Sequence, residues 1–264
     1  RLDTPYIREN GKLKKTTWEE TLKFLINKLK SFNSNEIAGL VGDLADLEMI
    51  HSFKNFFEKA LGSKNLECRQ DRTYINPKER MNYIFNSTIN GIEESDFILL
   101  VGTNPRLEAT ILNARIRKAY VKNKLKIYSL GDAGDLTYPY KNIGSNTSII
   151  RDIVSGAHEI SNKIKNAKKP IIILGDSALY GKSGAYVFES LKKFLFDNNF
   201  INEKWNALNI LTQQASREGA LDLGVHTINE NENFSFFNKL ENDEFKFIYL
   251  LGADNFNFEK KNKF

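Results

Sequence analysis

Apolar residues along the chain fall into short continuous runs separated by stretches with helical periodicity. Five runs end at a glycine, and their ends read GLVGD at 39–43, LLVGT at 99–103, SLGD at 129–132, ILGD at 173–176 and LLGAD at 250–254. Continuous apolar strands that alternate with helices are typical of parallel sheets covered on both faces. The pattern therefore predicts an α/β fold with two Rossmann-like lobes.

Apolar residues spaced three or four positions apart predict the helices that cover these sheets. They form three stripes: Leu47, Ile50, Phe53, Phe57 and Leu61; then Ile149, Ile153, Ala157, Ile160 and Ile164; and then Val187, Leu191, Phe194 and Leu195.

The first residues predict a different local structure. Asn10 and Gly11 favour a tight hairpin turn, because both central positions of such a turn need a positive φ. Thr17 and Glu20 have capping-box spacing and predict the start of a helix. The apolar face of that helix comprises Trp18, Leu22, Leu25, Ile26 and Leu29.

The polar stretch NKIKNAKK at 162–169, followed by Pro170, interrupts the pattern. We expect a domain boundary near residue 166. This gives an N-terminal hairpin and linker at 1–20, a first α/β lobe at 21–166 and a second, incomplete lobe at 167–264. The chain begins with Arg1 rather than methionine, so we expect a trimmed or separately encoded part of a longer polypeptide.

The charge pattern indicates a solvated basic surface. The net charge is +5, from 38 Lys and Arg residues against 33 Asp and Glu residues, and the lysines are spread along the chain. No stripe of basic and aromatic side chains indicates a nucleic-acid partner. No apolar run reaches the ~18 residues of a membrane span, and no signal-peptide pattern opens the chain.

Residues that commonly bind metals are few. Cys68 is the single cysteine, so it can form neither an internal disulfide nor a cysteine-rich zinc or iron–sulfur site. His51, His158 and His226 lie far apart in the sequence and lack metal-ligand spacing. We expect Cys68 to be a small buried apolar residue.

The turn formed by Gly102, Thr103, Asn104 and Pro105 follows a predicted strand, and ligands of α/β sheets bind at that edge. A helix cap at Asn104 and a helix-opening Pro105 explain the same residues without a ligand. The loop GDSALYGKSG at 175–184 lacks the spacing of a Walker phosphate loop. Three further charged residues predict either ion pairs or an anion site: Arg69, Asp71 and Arg72.

Several longer segments resemble a known family. They read GLVGDLADLE, LGSKNLECRQD, FNSTINGIEESDFILLVGTNPRLEATILNARIRKAY, KPIIILGDSAL, WNALNILTQQASREGALDLG and YLLGAD. Together with the opening RLDTPYIRENGKL and the tripeptide WEE that follows it at 18–20, these segments resemble the molybdopterin oxidoreductase fold from the first residue to about Asp254. Within that superfamily they are similar to the large iron–sulfur (G) subunit of respiratory complex I, NADH:quinone oxidoreductase.

The resemblance implies a scaffold that has lost its cofactor. In cofactor-bearing members the strand–Gly-x-Asn-Pro turn holds a guanine-dinucleotide form of the pterin, and the next strand ends in Asp-Pro-Arg. A Cys, Ser or selenocysteine after the segment that resembles NLEC binds the metal. The corresponding residues here read GDAGD at 131–135 and RQDRTY at 69–74. We therefore expect no catalytic residue, no metal ligand and no bound cofactor; Gly102, Thr103, Asn104 and Pro105 are candidates for a vestigial pocket.

The same resemblance implies a structural role in the peripheral arm of complex I. The iron–sulfur clusters are expected in domains upstream of Arg1 or in a partner chain, and the cluster-bearing half of the same subunit is the expected partner. Residues 6–13 and 68–74 are the expected contact regions. The implied location is the matrix side of the mitochondrial inner membrane, or the cytoplasmic face of a bacterial plasma membrane.

Two other functions remain open at this point. The chain could be a fragment of a working molybdenum oxidoreductase, which would need a metal ligand and pterin-binding residues. It could also be a nucleotide-binding α/β module with a ligand at Thr103 or Ser177.

Overall fold

The structure is a computed structural model that describes residues 3–228 and 234–253, except the side chain of Lys182. The strands are β1 Tyr6–Glu9, β2 Lys12–Lys15, β3 Ile37–Val41, β4 Leu66–Glu67, β5 Phe97–Val101, β6 Lys126–Leu130, β7 Lys141–Asn142, β8 Pro170–Gly175, β9 Leu208–Leu211 and β10 Phe247–Leu251. The helices are α1 Trp18–Leu29, α2 Leu47–Asn55, α3 Thr88–Gly91, α4 Pro105–Glu108, α5 Thr110–Asn123, α6 Ser148–Ser155, α7 Glu159–Lys165, α8 Asp176–Leu179, α9 Gly181–Asp197, α10 Arg217–Asp222 and α11 Ser235–Glu241.

Two parallel sheets form the body of the protein, which confirms the predicted α/β class. The large sheet has the strand order β7-β6-β5-β8-β9 and the small sheet has the order β10-β3-β4. Every neighbouring pair in both sheets is parallel. All five predicted strands are present, although Asp254, the last residue of the LLGAD run, lies outside the described residues. The strands β7 and β9 have no glycine-ended apolar run and were not predicted.

The sheets do not divide at residue 166, where the sequence predicted a boundary. Strand β8 pairs with β5 across that position, with Phe97 opposite Pro170, and β10 returns to pair with β3, with Phe247 opposite Ile37. Each sheet thus draws strands from both sides of residue 166. The polar stretch 162–169 is the exposed end of α7 and the turn into β8, and a solvated turn has the same composition as a linker.

Both faces of the large sheet are buried. Side chains from α6, α7 and α9 cover one face, where Ile153, Ile164 and Leu191 are fully buried. Helix α5 covers the other face through Leu112 and Ile116. This double cover explains why β5 and β8 are apolar at every position.

The second predicted stripe forms two helices instead of one. Gly156 adopts a left-handed φ of 85° and ends α6, a conformation that glycine adopts without strain. The ring of His158 then accepts a hydrogen bond from the backbone N–H of Ile160 and caps α7. The break places both short helices on the same face of the sheet.

The N-terminal hairpin and helix form as predicted, and the described residues leave them largely exposed. β1 pairs with β2 across Asn10 and Gly11, and Thr17 and Glu20 make the capping box of α1. No residue of α1 is buried, and Trp18 is 68% exposed. Among the described residues, no helix combines the length and apolar character needed to cross a membrane.

Candidate functional site

The 102–105 turn (Gly102, Thr103, Asn104 and Pro105) links β5 to α4 at the carboxyl end of the large sheet. Gly102 has a φ of 58°. The side-chain oxygen of Asn104 accepts hydrogen bonds from the backbone N–H groups of Arg106 and Leu107, and Pro105 opens the helix. The turn therefore has the helix cap that was predicted without a ligand.

The carboxylate of Glu108 in α4 accepts the hydrogen bonds that Thr103 and Asn104 would otherwise donate to a bound anion. Thr103 Oγ1 donates to Glu108 Oε2 at 2.5 Å, and the backbone N–H of Asn104 donates to Glu108 Oε1 at 3.0 Å. Backbone N–H groups at a helix start are the usual partners of a bound phosphate. Glu108 was not singled out from the sequence, although its position four residues after Asn104 places it on the same side of the first helical turn.

The loop after β8, which folds into the short helix α8, lies directly against this turn. Ser177 Oγ donates to the carbonyl oxygen of Gly102 at 2.5 Å. A Cβ atom on Gly102 would lie 2.6 Å from the backbone nitrogen of Ala178, and one on Gly175 would lie 2.5 Å from the carbonyl oxygen of Gly102. The two nucleotide-site candidates, Thr103 and Ser177, thus use their hydroxyl donors within the chain.

The loop at 175–184 does not cradle an anion. It folds into α8 and the first turn of α9, and Gly184 packs so tightly that a Cβ there would lie 2.1 Å from the carbonyl oxygen of Leu179. The glycines allow two helices to meet closely rather than a backbone to surround a phosphate.

The segment at 67–74 runs from β4 of the small sheet to the helix after β8, where the N–H of Tyr74 donates to the carbonyl of Leu179 at 2.7 Å. Its charged residues form ion pairs, which is one of the two alternatives that the sequence left open. Glu67 and Arg69, both fully buried, form a two-pronged ion pair at 2.9 and 2.7 Å. Arg217 of α10 donates to Asp71 at 3.0 Å and to Thr73 Oγ1 at 2.9 Å. No local pattern in the sequence indicated Arg217, which lies 146 positions from Asp71.

Arg72 pairs with Glu241 of α11 at 2.5 Å and stacks over the ring of Phe237 at 4.9 Å. Cys68, Arg69 and Thr73 are at most 3% exposed. Three residues of the segment at 68–74 are buried and the other four are half-buried, so its role as a contact region for a partner stays a prediction.

Cys68 is the small buried residue that the sequence predicted. Burial raises the pKa of its thiol to about 12, so the thiolate that a nucleophile or metal ligand requires is strongly disfavoured. Among residues 3–228 and 234–253, no three His, Cys, Asp or Glu side chains lie close enough together to hold a metal ion.

Several buried polar atoms have no hydrogen-bond partner in the part of the chain that the structure describes. They include Asp43 Oδ1 after β3, Gln70 Oε1 after β4 and Arg217 Nε. They provide neither the thiolate nor the imidazole that a soft metal requires.

Asp176, the first residue after β8, has a perturbed acidity. Burial raises the pKa of its carboxyl from 3.8 to about 6; the backbone N–H of Gln213 opposes the rise, Asp71 adds to it and Arg217 opposes it. The folded protein therefore retains this proton up to about pH 6, whereas the unfolded chain releases it near 3.8. The free energy of unfolding consequently falls as the pH rises between these two values.

We expect Asp176→Asn to be more stable than the parent by about 2 kcal/mol at pH 7.5 and equally stable at pH 4. The amide oxygen keeps the acceptor for the N–H of Gln213, which donates at 3.1 Å, and the substitution removes the buried charge. Chemical unfolding at both pH values measures the difference, and Asp197→Asn, at an exposed carboxylate of α9, is the control. An equal gain at pH 4 and pH 7.5 would contradict the titration of Asp176.

The comparisons with known proteins agree across the whole chain. The model of the family described as molybdopterin oxidoreductase matches residues 1–264. The NADH-ubiquinone oxidoreductase 75 kDa subunit of Reclinomonas americana is 39% identical over 272 residues, which cover 98% of this chain and 39% of that protein.

Two other relatives come from different sources. A subunit of the NADH-quinone oxidoreductase of Rickettsia typhi is 38% identical over 98% of this chain and 37% of its own length. The mitochondrial NADH-ubiquinone oxidoreductase 78 kDa subunit of Candida albicans is 38% identical over 96% of this chain and 34% of its own length. The chain thus spans less than two fifths of the length of these relatives.

Proposed function

The chain belongs to the molybdopterin oxidoreductase family, and from this premise we propose that it is a structural region without a cofactor in the peripheral arm of respiratory complex I. The identity of 39% over 98% of the chain to a complex I subunit carries the proposal. In this role the chain supports the transfer of electrons from NADH to quinone by iron–sulfur domains outside it.

The absence of a pterin cofactor is part of the proposal, and the 102–105 turn supports it. Its donors are bonded to Glu108, and the loop after β8 packs on its backbone. A pterin dinucleotide would have to displace both. Arg106, which follows the turn in the sequence, pairs with the carboxylate of Asp135 and donates to its carbonyl oxygen at 3.0 Å.

The residues after β4 likewise do not fit a molybdenum ion. Arg69 lies in the segment where the family places its metal ligand. Its guanidinium forms an ion pair with the carboxylate of Glu67 at 2.7 Å. No sulfur or selenium follows Cys68 before Tyr74, and the thiol of Cys68 itself is buried and protonated. We therefore assign no catalytic or metal-binding residue to this chain.

The proposed partner is the cluster-bearing part of the same subunit, together with other subunits of the peripheral arm. The hairpin and α1 supply its docking surface, because Leu13, Trp18, Leu22 and Ile26 are each more than half exposed. The location follows from the assembly: the matrix side of the mitochondrial inner membrane, or the cytoplasmic face of a bacterial plasma membrane if the source is bacterial.

The test is to tag this chain in its source and isolate it under conditions that preserve complex I. We expect it to migrate with NADH:quinone oxidoreductase activity and with the iron–sulfur subunits on a native gel. A double variant, Trp18→Glu with Ile26→Glu, should lower its recovery in that complex at least tenfold, because it places two charges in the docking surface. Phe196→Glu, on an exposed residue of α9, is the matched control. Recovery of the parent chain only as a free monomer would refute the proposal.

Metal analysis separates this function from that of a working molybdenum enzyme. We expect the isolated chain to contain less than about one tenth of an equivalent of molybdenum, tungsten, iron or zinc, because its described residues offer no suitable ligand set. Elemental analysis of the chain purified from its source, without chelators, makes the measurement. A content near one molybdenum or tungsten per chain would favour the enzyme instead.

A further inference from the structure

The positive charge of the chain is concentrated in α5 and the start of β6. Residues 109–131 contain six Lys and Arg residues and no Asp or Glu, whereas the net charge of the whole chain is +5. Arg115 and Lys118 pair with Glu93. The other four cations are exposed and make no ion pair within the described part of the chain. They are Arg117, Lys122, Lys124 and Lys126.

Stabilisation of α5 does not account for all four unpaired cations. Positive charge at the end of a helix interacts favourably with the helix dipole, but only within the last turn. This explains Lys122 and Lys124, which lie at the end of α5. Arg117 lies before that turn, and Lys126 is the first residue of β6. The cluster therefore repels itself without a local benefit, and an external anion would relieve the repulsion.

A groove opens beside the cations at the end of α5. Its volume is about 670 Å³, and it is lined by the last turn of α5, the start of β6 and residues 139–141. Two tyrosines of the lining are held in place by the chain. The ring of Tyr120 stacks on that of Tyr138 at 6.5 Å, and the hydroxyl of Tyr140 donates to the carbonyl of Gly134 at 3.0 Å. A ligand in the groove would therefore pay little to order these rings.

An apolar stripe on the outer face of α5 extends this surface. Ile111 and Val121 are 72% and 71% exposed, and Leu107 of α4 is 80% exposed. Steps of three and seven positions place Ile111, Ala114 and Val121 on the same side of the helix. The 14 residues of α5 span about 21 Å. The groove is thus one end of a longer surface, which has room for more than a small molecule.

We propose that a separate protein subunit covers the outer face of α5 and places an acidic segment in the groove. Its carboxylates pair with Lys124 and Lys126, and an aromatic or aliphatic side chain enters between Tyr120 and Tyr140. The cations select the partner by charge complementarity and speed its approach. The apolar anchor in the groove supplies most of the affinity.

The unpaired charge favours a separate chain over a tethered segment of the same polypeptide. A tethered segment already has a high effective concentration and needs no long-range attraction. Free partners do benefit, because a cluster of one sign raises the rate at which they meet. The inference rests on the charge and geometry of α5 and β6, not on the proposed role in complex I.

A nucleic acid or an anionic membrane fits this surface less well. Lys141 lines the groove from β7, but Glu159 pairs with it at 2.8 Å. The hydroxyl of Tyr140 lies 3.4 Å from the exposed carboxylate of Asp132. The unpaired positive charge therefore ends at the groove, whereas a phosphate backbone or a lipid surface requires cations along its whole path.

Carbodiimide cross-linking of the native assembly tests the proposal. The reagent condenses a lysine amine with a carboxylate in direct contact, so it detects an ion pair without a change in the chain. The chain is tagged in its source, purified with its partners and treated, and mass spectrometry identifies the joined peptides. We expect Lys124 or Lys126 to be joined to an acidic peptide of another subunit. Lys193, which is exposed on α9, should not yield that peptide.

The other outcomes of this experiment would overturn the proposal. They are a cross-link from Lys124 or Lys126 to the rest of the same polypeptide, a cross-link to a second copy of this chain, and no cross-linked peptide at all. The last is the result expected if lipid or nucleic acid occupies the surface. An acidic subunit cross-linked in an assembly other than complex I would uphold the inference and refute the proposed function.

Charge reversal provides an independent measurement. Lys124→Glu with Lys126→Glu should lower the recovery of the cross-linked subunit, per tagged chain, at least tenfold, because two attractive contacts become repulsive. Lys193→Glu with Lys204→Glu makes the same change of charge at two other exposed lysines and should leave that recovery within about twofold. Equal losses in the two double variants would mean that net charge alone controls the association, and the groove would lose its role.

A charge swap shows whether the pairing is direct. The carboxylates that the cross-link identifies are replaced with lysine in the partner. The altered partner should bind poorly to the parent chain, and it should recover at least half of the parental association with the Lys124→Glu, Lys126→Glu variant. A swap that fails to restore association would contradict the proposed contact, since the same charges would then face each other with the signs exchanged.

Discussion

Replacing Arg69 with leucine is expected to lower the free energy of unfolding by about 3–5 kcal/mol, since removing one partner of a buried ion pair leaves the other charge uncompensated. Arg69 and Glu67 are both fully buried. Burial is the largest single influence on the pKa of Arg69 and lowers it, but the charge and hydrogen bond of Glu67, with Cys68 and Asp71, together raise it, so the guanidinium stays charged in the folded protein. Arg69 also donates to the carbonyl of Thr73 at 3.0 Å, so the loss would loosen the segment that joins the two sheets.

Two further variants distinguish the loss of this buried ion pair from the loss of an exposed one. Arg115→Leu removes a pair with Glu93 at 2.6 Å in which both side chains are partly exposed, and it should cost less than about 1 kcal/mol. Glu67→Gln combined with Arg69→Leu should restore part of the lost stability, because no buried charge then remains unpaired. Urea unfolding measures all three. A loss for Arg69→Leu no larger than that for Arg115→Leu would contradict the buried pair.

The strands of this fold were predictable because burial on both faces leaves a local trace. Every residue of β5 and β8 is buried, so an uninterrupted apolar run is required and is visible without knowledge of the partner strands. The edge strands β7 and β9 leave weaker traces. β7 is the exposed dipeptide Lys141–Asn142, which resembles any loop.

The strand order was not predictable from the same runs. A parallel strand can pair with any other strand of similar length and apolar character, and the choice depends on crossover packing that a single sequence does not reveal. This is why a polar turn at 162–169 looked like a boundary although β5 and β8 pair across it. Composition reports that a segment is solvated, and a turn within a domain is as solvated as a linker.

In the candidate site, too, the features made by residues adjacent in sequence were predictable, whereas contacts between distant residues were not. The cap at Asn104 and the helix start at Pro105 follow from residues that are adjacent in sequence. The partners that close the turn are less visible: Glu108 comes from the following helix, and Ser177 follows a strand that is adjacent only in the folded sheet. A Gly-Thr-Asn-Pro turn is therefore compatible with either a bound anion or none, and the surrounding side chains decide between them.

Replacing Gly102 with alanine is expected to destabilise the protein by about 3 kcal/mol. A non-glycine residue at a φ of 58° costs roughly 1–2 kcal/mol. The added methyl group would lie 2.6 Å from the backbone nitrogen of Ala178 and 2.7 Å from Ser177 Oγ, and such crowding costs about 1–3 kcal/mol more because backbone has to shift. Gly156→Ala is the matched control, since Gly156 has a φ of 85° with no heavy atom within 4 Å of the added carbon, and it should lose only about 1 kcal/mol.

The difference between these two variants measures how tightly the loop after β8 closes over the turn. Denaturant unfolding of both proteins under the same conditions gives that difference directly, because the backbone strain is similar and only the crowding differs. Equal losses would mean that the loop stands away from Gly102 and that the turn is open to a ligand. A larger loss for Gly102→Ala means that the space beside the turn is filled by Ala178 and Ser177, and a pterin could enter only after β8 and its loop had moved.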